Sequence, residues 1–408
     1  MIDIRVVNKV LLTFTIFIFA FIFQYFIDES TAMYMPLVYY MYTIPILLLF
    51  FSPIFKSDEI LLYVFIISLF LQYFFNQVSF RLSTVLYTVL FVLTFLLYKK
   101  LLDKTPFTLN YYKKILKAIL FSYGFVLFIQ QLSYLLGVIG FNYYFNGPFK
   151  FNVLAQETSY IAQIIPVTFY SFIKIRELEW KRRFEINYVF RDKLMWFLFT
   201  YISISCGSTS VIVGFLVILF LVIQWDKKKM IPYVIGFVIL LPLLFSLLIN
   251  LKSFERIVDL VPAIVNFDYQ GVYDIDSSAS ARISPYLIYI SDFSLFDLTI
   301  WFGNGIDYSR TQLTSRVVGY DSQDQGVGGV ISFMLDYGLI SFVLYLLMLK
   351  KYTFKSFKSP AFLLWLFLYS IAGINIYIAW IYPIFIYTNN VIYAKYRKSH
   401  IFNSNSNI

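Results

Sequence analysis

One cysteine and one histidine occur in 408 residues. A lone thiol, Cys206, excludes an intrachain disulfide, and Cys206 with His400 cannot assemble a zinc site of His and Cys ligands. No Walker-type phosphate loop is present, which removes the usual apparatus of ATP hydrolysis. Charge is scarce: 14% of residues are charged, against about 25% in soluble domains. There is no internal repeat at fixed period, and no linker sets off a soluble domain.

What fills the chain instead is apolar: 60% of residues are hydrophobic and 22% aromatic. Runs of about 17–25 apolar residues read as membrane-spanning helices. Spans are predicted at Val10–Ile27, Leu37–Phe55, Ile60–Phe75, Leu82–Tyr98, Ile115–Ile139, Ser159–Ile175, Leu194–Ser205, Thr209–Trp225, Met230–Asn250, Gly329–Leu349, Ala361–Tyr377 and Ala379–Tyr393. The first run is too long for a signal-peptide core and lacks a small-residue cleavage site, so it is expected to stay as a span. The short span before "CGSTS" and the last pair are expected to be tight hairpins or broken helices.

The net charge of +10 does not point to nucleic acid, because lysine and arginine cluster in short segments between apolar runs, where they set orientation. With Arg5 and Lys9 on the cytoplasmic side, "KKLLDKTPFTLNYYKK", "KIRELEWKRRFEINYVFRDK", "DKKK", "KKYTFKSFKS" and the tail "AKYRKSH" share that side. The opposite side receives neutral to acidic segments and the long stretch Leu251–Gln325. An even number of spans then puts both termini inside. The outer stretch holds about 75 residues, where helix connections usually have 2–8, and loops of such length are functional or disordered. It carries Trp301 and many Tyr, Phe and Ile residues, so it is expected to form short amphipathic helices resting on the outer membrane face.

The chemistry available outside is narrow. His400 lies in the cytoplasmic tail, so an outer-face proton acceptor must be Asp, Glu, Tyr or substrate. Asp28 and Glu29 are too slight a pair to argue for a metal beside a diphosphate, and no metal or cofactor is expected. The outer basic residues are few: Arg81, Lys150, Lys252, Arg256, Arg282, Arg310 and Arg316. Arginine kept there against the charge rule suggests an anionic ligand, which guanidinium binds through paired hydrogen bonds. The plainer reading pairs each arginine with a loop acid such as Glu255, Asp259 or Asp276. Glu157 in "LAQETSYIAQIIP" either faces an outer cavity or caps a helix with Thr158 and Ser159. Asp321 and Asp324 precede a span. Asp336 lies about eight residues into one, where an acid is costly and by default functional, unless the glycine-rich start leaves it in a watery groove. The polar break "SISCGSTS" likewise suits a cavity lining.

Three segments together resemble the O-antigen polymerase and ligase superfamily, the Wzy-type polysaccharide polymerases. "QETSYIAQIIP" is similar to that family's E-P-S-Y-x-A opening of a span, with Thr158 where proline is common. "SASARISPYLIYI…WFGNGI" resembles its S-x-R…G-x-G signature, with Arg282 in the arginine position and Gly303 and Gly305 closing it. "GGVISFMLDYGLISF" resembles its small-residue helix ending in acid-x-Gly, with Gly338 as the glycine. Ligase members carry a His-Asn pair where this chain has Val327-Gly328, and an arginine after a serine-rich break that "SISCGSTS" lacks. Both departures favour polymerase over ligase.

The resemblance implies an all-α integral membrane protein of about twelve transmembrane helices and one large periplasmic loop, with a GT-C-like architecture. Helices one to nine would occupy residues 1–250, the loop 251–328, helices ten to twelve 329–395, and a cytoplasmic tail 396–408. It further implies a metal-independent glycosyltransferase that moves a growing glycan from undecaprenyl diphosphate to a lipid-linked repeat unit. Arg282, with Arg256, Arg310 or Arg316, would neutralise the leaving diphosphate. Glu157 or Asp324 would accept the acceptor proton, and Tyr160 and Asp336 would contact substrate. The expected partners are the lipid-linked oligosaccharide, the bilayer, a chain-length regulator and a flippase, and no nucleic acid. A ligase, or a flippase with two matching halves, is the competing expectation; the lopsided loop sizes count against the flippase.

Overall fold

A computed structural model describes residues 4–21, 35–51, 56–75, 82–138, 151–155, 158–181, 191–206, 208–222, 252–320, 329–370 and 373–405. Over these residues the chain is helical and contains no strand. The helices are α1 Ile4–Ala20, α2 Met35–Phe51, α3 Ile60–Ser68, α4 Gln72–Phe75, α5 Leu82–Lys104, α6 Leu109–Leu135, α7 Thr158–Trp180, α8 Lys193–Ser205 and α9 Thr209–Val222. They continue as α10 Lys252–Val265, α11 Tyr269–Ile275, α12 Ser277–Asp292, α13 Leu298–Phe302, α14 Tyr308–Arg316, α15 Val330–Leu349, α16 Pro360–Leu364 and α17 Tyr377–Asn405. The predicted span Met230–Asn250 and the acids Asp28 and Glu29 lie outside the described residues.

Among the described residues four helical stretches are long and apolar enough to cross a membrane: Ser57–Phe74, Leu82–Lys104, Leu109–Leu135 and Val330–Phe354. Shorter apolar helices cover Tyr39–Leu48, Lys193–Ser205, Ser210–Leu221 and Pro360–Tyr369. These lengths give the chain the character of a membrane protein. Local sequence sets several helix ends. Pro106 stops α5 and the Thr108 hydroxyl caps α6 by accepting from the Tyr111 N–H at 3.3 Å. Ser359 caps α16, whose first residue is Pro360.

Two predicted runs are interrupted. Ile60–Phe75 breaks at residues 69–71, where the backbone tightens into successive three-residue turns. The Ser68 carbonyl accepts from the Leu71 N–H and also from the Ser341 hydroxyl of α15, each at 3.1 Å. Ala361–Tyr377 is likewise divided, with a wide π turn at Trp365–Tyr369 after α16. A uniformly apolar run carries no period that marks such breaks.

Long α17 lies at the centre and packs on α7, α5 and α1. Its buried polar groups reach three neighbours: Thr388 meets the Tyr98 hydroxyl at 2.6 Å, the Asn389 amide donates to Ser171 at 3.0 Å, and Tyr112 donates to the Phe385 carbonyl at 3.3 Å. Helices α7 and α9 cross closely at Gly214. A Cβ on Gly214 would stand 2.8 Å from Pro166 and 3.1 Å from the Ala162 carbonyl, so only glycine allows these backbones to meet. Pro166 has no N–H to give that carbonyl.

At one end of the bundle, segments distant in sequence are joined by charge. Lys99 stands 2.8 Å from Asp58 and 2.9 Å from Asp103, and Lys100 stands 3.0 Å from Glu59. Tyr387 donates to Asp103 at 2.8 Å, and Lys395 donates to the carbonyls of Leu102 and Thr105 at 3.1 and 2.9 Å. Lys113 pairs with Glu179, while Arg176 bonds Asp192 at 2.6 Å. The Glu59 side chain is 0% exposed. Removing one member of a buried pair strands the other charge, at a cost of about 3–5 kcal/mol. Lys100→Met is therefore expected to lower the unfolding temperature in detergent, and adding Glu59→Gln is expected to restore most of the loss. Equal melting of Lys100→Met and the parent would show that Glu59 does not depend on Lys100.

Candidate functional site

The helices α10 to α14 fold on cores of their own rather than lying separately on a surface. Ile288 of α12, Leu313 of α14, Val317, Tyr320 and Leu335 of α15 form one buried cluster. Leu260 and Ala263 of α10 with Val272 of α11 form another. Full burial of such a side chain stabilises by about 1.5–3 kcal/mol, so these short helices hold one another where none would persist alone. The Asp268 carboxylate caps α11 by accepting from the Gly271 N–H at 2.9 Å.

The two segments "WFGNGI" and "LDYG" meet backbone to backbone. Gly338 interrupts α15 with φ +82° and ψ 167°. Such a break takes carbonyls of the preceding turn out of the helical ladder, and they need other donors. The Leu335 carbonyl accepts from the Asn304 N–H at 2.9 Å and from its side-chain amide at 3.1 Å. The Asp336 carbonyl accepts from the Gly305 N–H at 3.1 Å. A Cβ on Gly303 would stand 2.3 Å from the Asp336 carbonyl oxygen, and one on Gly338 would stand 2.4 Å from that of Trp301. Gly303 also has φ +95°. Neither position admits a side chain.

Asp336 then secures the next element. Its carboxylate accepts from the Ser309 N–H and hydroxyl, both at 3.3 Å, so it caps α14 from another helix. A carboxylate at this positive helix end is electrostatically favourable. Next to Ser309, Arg310 stands 3.7 Å from Asp307. At the far end of α14, Arg316 grips Asp292 of α12 through two bonds of 2.9 and 3.1 Å. It also donates to the Tyr269 hydroxyl at 2.8 Å and lies 5.1 Å from that ring's centre. Burial alone would lower the Arg316 pKa; the bonds and charge of Asp292, aided by Tyr269, outweigh it and raise the value.

Arg282 differs from both. It is half-buried on α12, two residues from Ser280 and Ser284, which are buried and meet at 3.1 Å. Residues four apart share a helix face and a residue midway does not. Among the described residues Arg282 has no ion-pair partner. The plain pairing expected from sequence thus holds for Arg316 and, at longer range, Arg310, though with Asp292 and Asp307 rather than the acids named in advance.

Arg282, Arg310, Arg316 and Asp336 lie on three mutually packed helices, α12, α14 and α15, with Arg316 held at Asp292, ten residues along α12 from Arg282. Tyr160 stands elsewhere, half-buried at the start of α7 and edge-on to Tyr377 at 5.8 Å. Glu157 and Asp324 lie outside the described residues, as does the Arg256 side chain, whose backbone is in α10. Of the "SISCGSTS" break, residues 203–205 end α8, Thr209 and Ser210 open α9, and the Cys206 carbonyl accepts from the Phe151 N–H at 3.3 Å. Gln130 holds the buried segment ahead of α7 by exchanging bonds of 3.0 and 3.4 Å with the Val153 backbone. Sequence reasoning missed Asn304, Ser309 and Asp292. Asn304 was visible as a double donor between two glycines, whereas Ser309 and Asp292 carry no local signal. Among the described residues no group of three His, Cys, Asp or Glu is arranged to hold a metal ion. Comparison with protein-family models, with curated proteins and with solved structures finds no match to this chain.

Gly319 separates backbone strain from steric contact, since it has φ +79° with nothing within 4 Å of an added Cβ. Gly319→Ala is expected to cost about 1–2 kcal/mol from its left-handed backbone alone. Gly338→Ala adds the clash with residues 301–303, so it is expected to lose more thermal stability and expose the 298–316 helices to limited proteolysis. Equal behaviour of the two variants would refute the contact as the source of the docking.

Proposed function

We propose that this protein is a polysaccharide repeat-unit polymerase that transfers a growing glycan from undecaprenyl diphosphate to a lipid-linked repeat unit. In this reading it crosses a bacterial inner membrane about twelve times with both termini cytoplasmic, and α10 to α14 belong to its periplasmic loop. One observation carries the reading: among the described residues Arg282 has no carboxylate partner, while Arg310 and Arg316 of the same helical group have one each. A half-buried guanidinium without a protein counter-ion is suited to an anion brought by substrate.

In the proposed step the acceptor hydroxyl oxygen bonds to the anomeric carbon of the donor glycan. The bond from that carbon to the diphosphate oxygen breaks, and the electron pair leaves with the diphosphate. Arg282 stabilises the negative charge as it develops, the kind of electrostatic effect that is often the largest in a site. The acceptor proton passes to a carboxylate, for which Glu157 and Asp324 are the proposed acceptors. Arg256 and Arg310 supply further positive charge, and Tyr160 a sugar-facing ring. Asp336 serves the site through α14, which it caps and which carries Arg310. Arg316, held by Asp292, orders α14 against α12. Metal-independent chemistry of the GT-C-like kind follows from this assignment, and a chain-length regulator and a flippase are the proposed partners.

Loss of one such stabilising donor costs about 10²–10³ in rate. Arg282→Ala is expected to abolish long-chain glycan at normal protein level, and Arg282→Lys to retain a fraction, because lysine lacks the two-pronged donor. Undiminished long chains in Arg282→Ala would refute the assignment. A deletion strain is expected to display single repeat units on its surface; units trapped inside would indicate a flippase.

A further inference from the structure

The connection between α12 and α13 has an outer surface unlike that of its neighbours. Ile290, Phe293, Leu295, Phe296, Leu298 and Trp301 are exposed, and Phe296 is 100% exposed. On α14, in the same helical group, the exposed residues include Thr311, Thr314 and Ser315. The tip is therefore apolar where α14 is polar, and α10 exposes apolar side chains as well, at Val258, Val261 and Val265. Water-facing surfaces rarely gather contiguous apolar residues in this way without a partner.

The tip is also built to leave water. The Trp301 indole N–H donates to the Leu295 carbonyl at 3.0 Å. The Asp297 N–H donates to the Ser294 carbonyl at 3.1 Å, and its carboxylate accepts from the Thr299 N–H at 2.9 Å. Polar groups bonded within the turn meet the main requirement for backbone placed near lipid. Asp292, the other acid here, is neutralised by Arg316.

Position selects the occupant. α13 packs against α4 and against the Gly338 break in α15. Gly338 is eight residues from the start of α15 at Val330, or about 12 Å along the axis at 1.5 Å per residue. The stretch Val330–Phe354 is one of those able to span a membrane, so α13 lies beside the apolar length of a span. Phe74 of α4, the neighbour of α13, is 81% exposed. The tip therefore adjoins the exposed apolar end of Ser57–Phe74, another stretch long and apolar enough to span a membrane. The carboxylate of Asp297 limits its depth to the boundary of headgroups and acyl chains.

We infer that residues 290–301 form an anchor that inserts Phe293, Phe296, Leu298 and Trp301 into the bilayer interface. The inference rests on the membrane character of the chain and not on the polymerase reading. Cys206, the sole cysteine, is buried, so a nitroxide can be placed at will. Phe296→Cys in a Cys206→Ala background is labelled and reconstituted into phospholipid vesicles. Spin relaxation by oxygen, which partitions into lipid, is compared with relaxation by a water-soluble nickel chelate. Phe128→Cys on α6 is the lipid reference and Thr314→Cys the water reference. The expected oxygen-to-nickel ratio at 296 is several-fold above that at 314 and approaches that at 128. A ratio at 296 equal to that at 314 overturns the anchor. Dipolar broadening at 296 that disappears on dilution with unlabelled protein also overturns it, by assigning the surface to a second copy. If Cys206→Ala does not fold, Phe296→Cys with the shielded Cys206 retained gives the same readout.

Discussion

The contact on which the outer helices depend is between two stretches of bare backbone. Residues 301–305 lie against residues 335–338, and each strand of the contact contributes a glycine facing the other's main chain. The broken helix supplies carbonyls at 335 and 336, and Asn304 and Gly305 supply the N–H groups that satisfy them. Hydrogen-bond need and steric room are met by the same residues. From this point the rest follows in order: Asp336 caps α14, α14 carries Arg310 and Arg316, and Arg316 ties back to Asp292 on α12.

Charge is handled differently at the two places where it gathers. At the end formed by residues 57–59, 99–104, 351 and 387–395, lysines and acids are interleaved, and Lys99, Lys100, Lys351 and Lys395 each have a carboxylate or carbonyl. Among the outer helices the arginines are graded instead. Arg316 is fully engaged, Arg310 is loosely paired, and Arg282 has no counter-ion among the described residues. A buried charge left unpaired is expensive, and half-burial lets Arg282 avoid that penalty through water or an anion.

Apolar run length made most helices legible, because spacing alone distinguishes a span from a short soluble helix. It could not locate the break at residues 69–71, since apolar residues continue across it and Ser341, which bonds the Ser68 carbonyl, is far away in sequence. The glycines of "GNG" and "DYG" were readable as special backbone positions, but not that they meet. Arg282 stood out by its side of the membrane in the charge pattern. That Arg316 is instead a brace depends on Asp292 and Tyr269, 24 and 47 residues away, distances over which sequence spacing says nothing. The shared cores at Ile288 and Val272 depend on side chains from several helices at once, which no local stretch reveals.

Mutual exclusion of side chains at Gly303 and Gly338 has a consequence for how such a chain tolerates reshuffling. Because each glycine clears room for the opposing main chain, the residues between them form a cassette whose two clasps must travel together. A side chain at either glycine meets main chain rather than another side chain, so no trimming at the opposite position can make room for it.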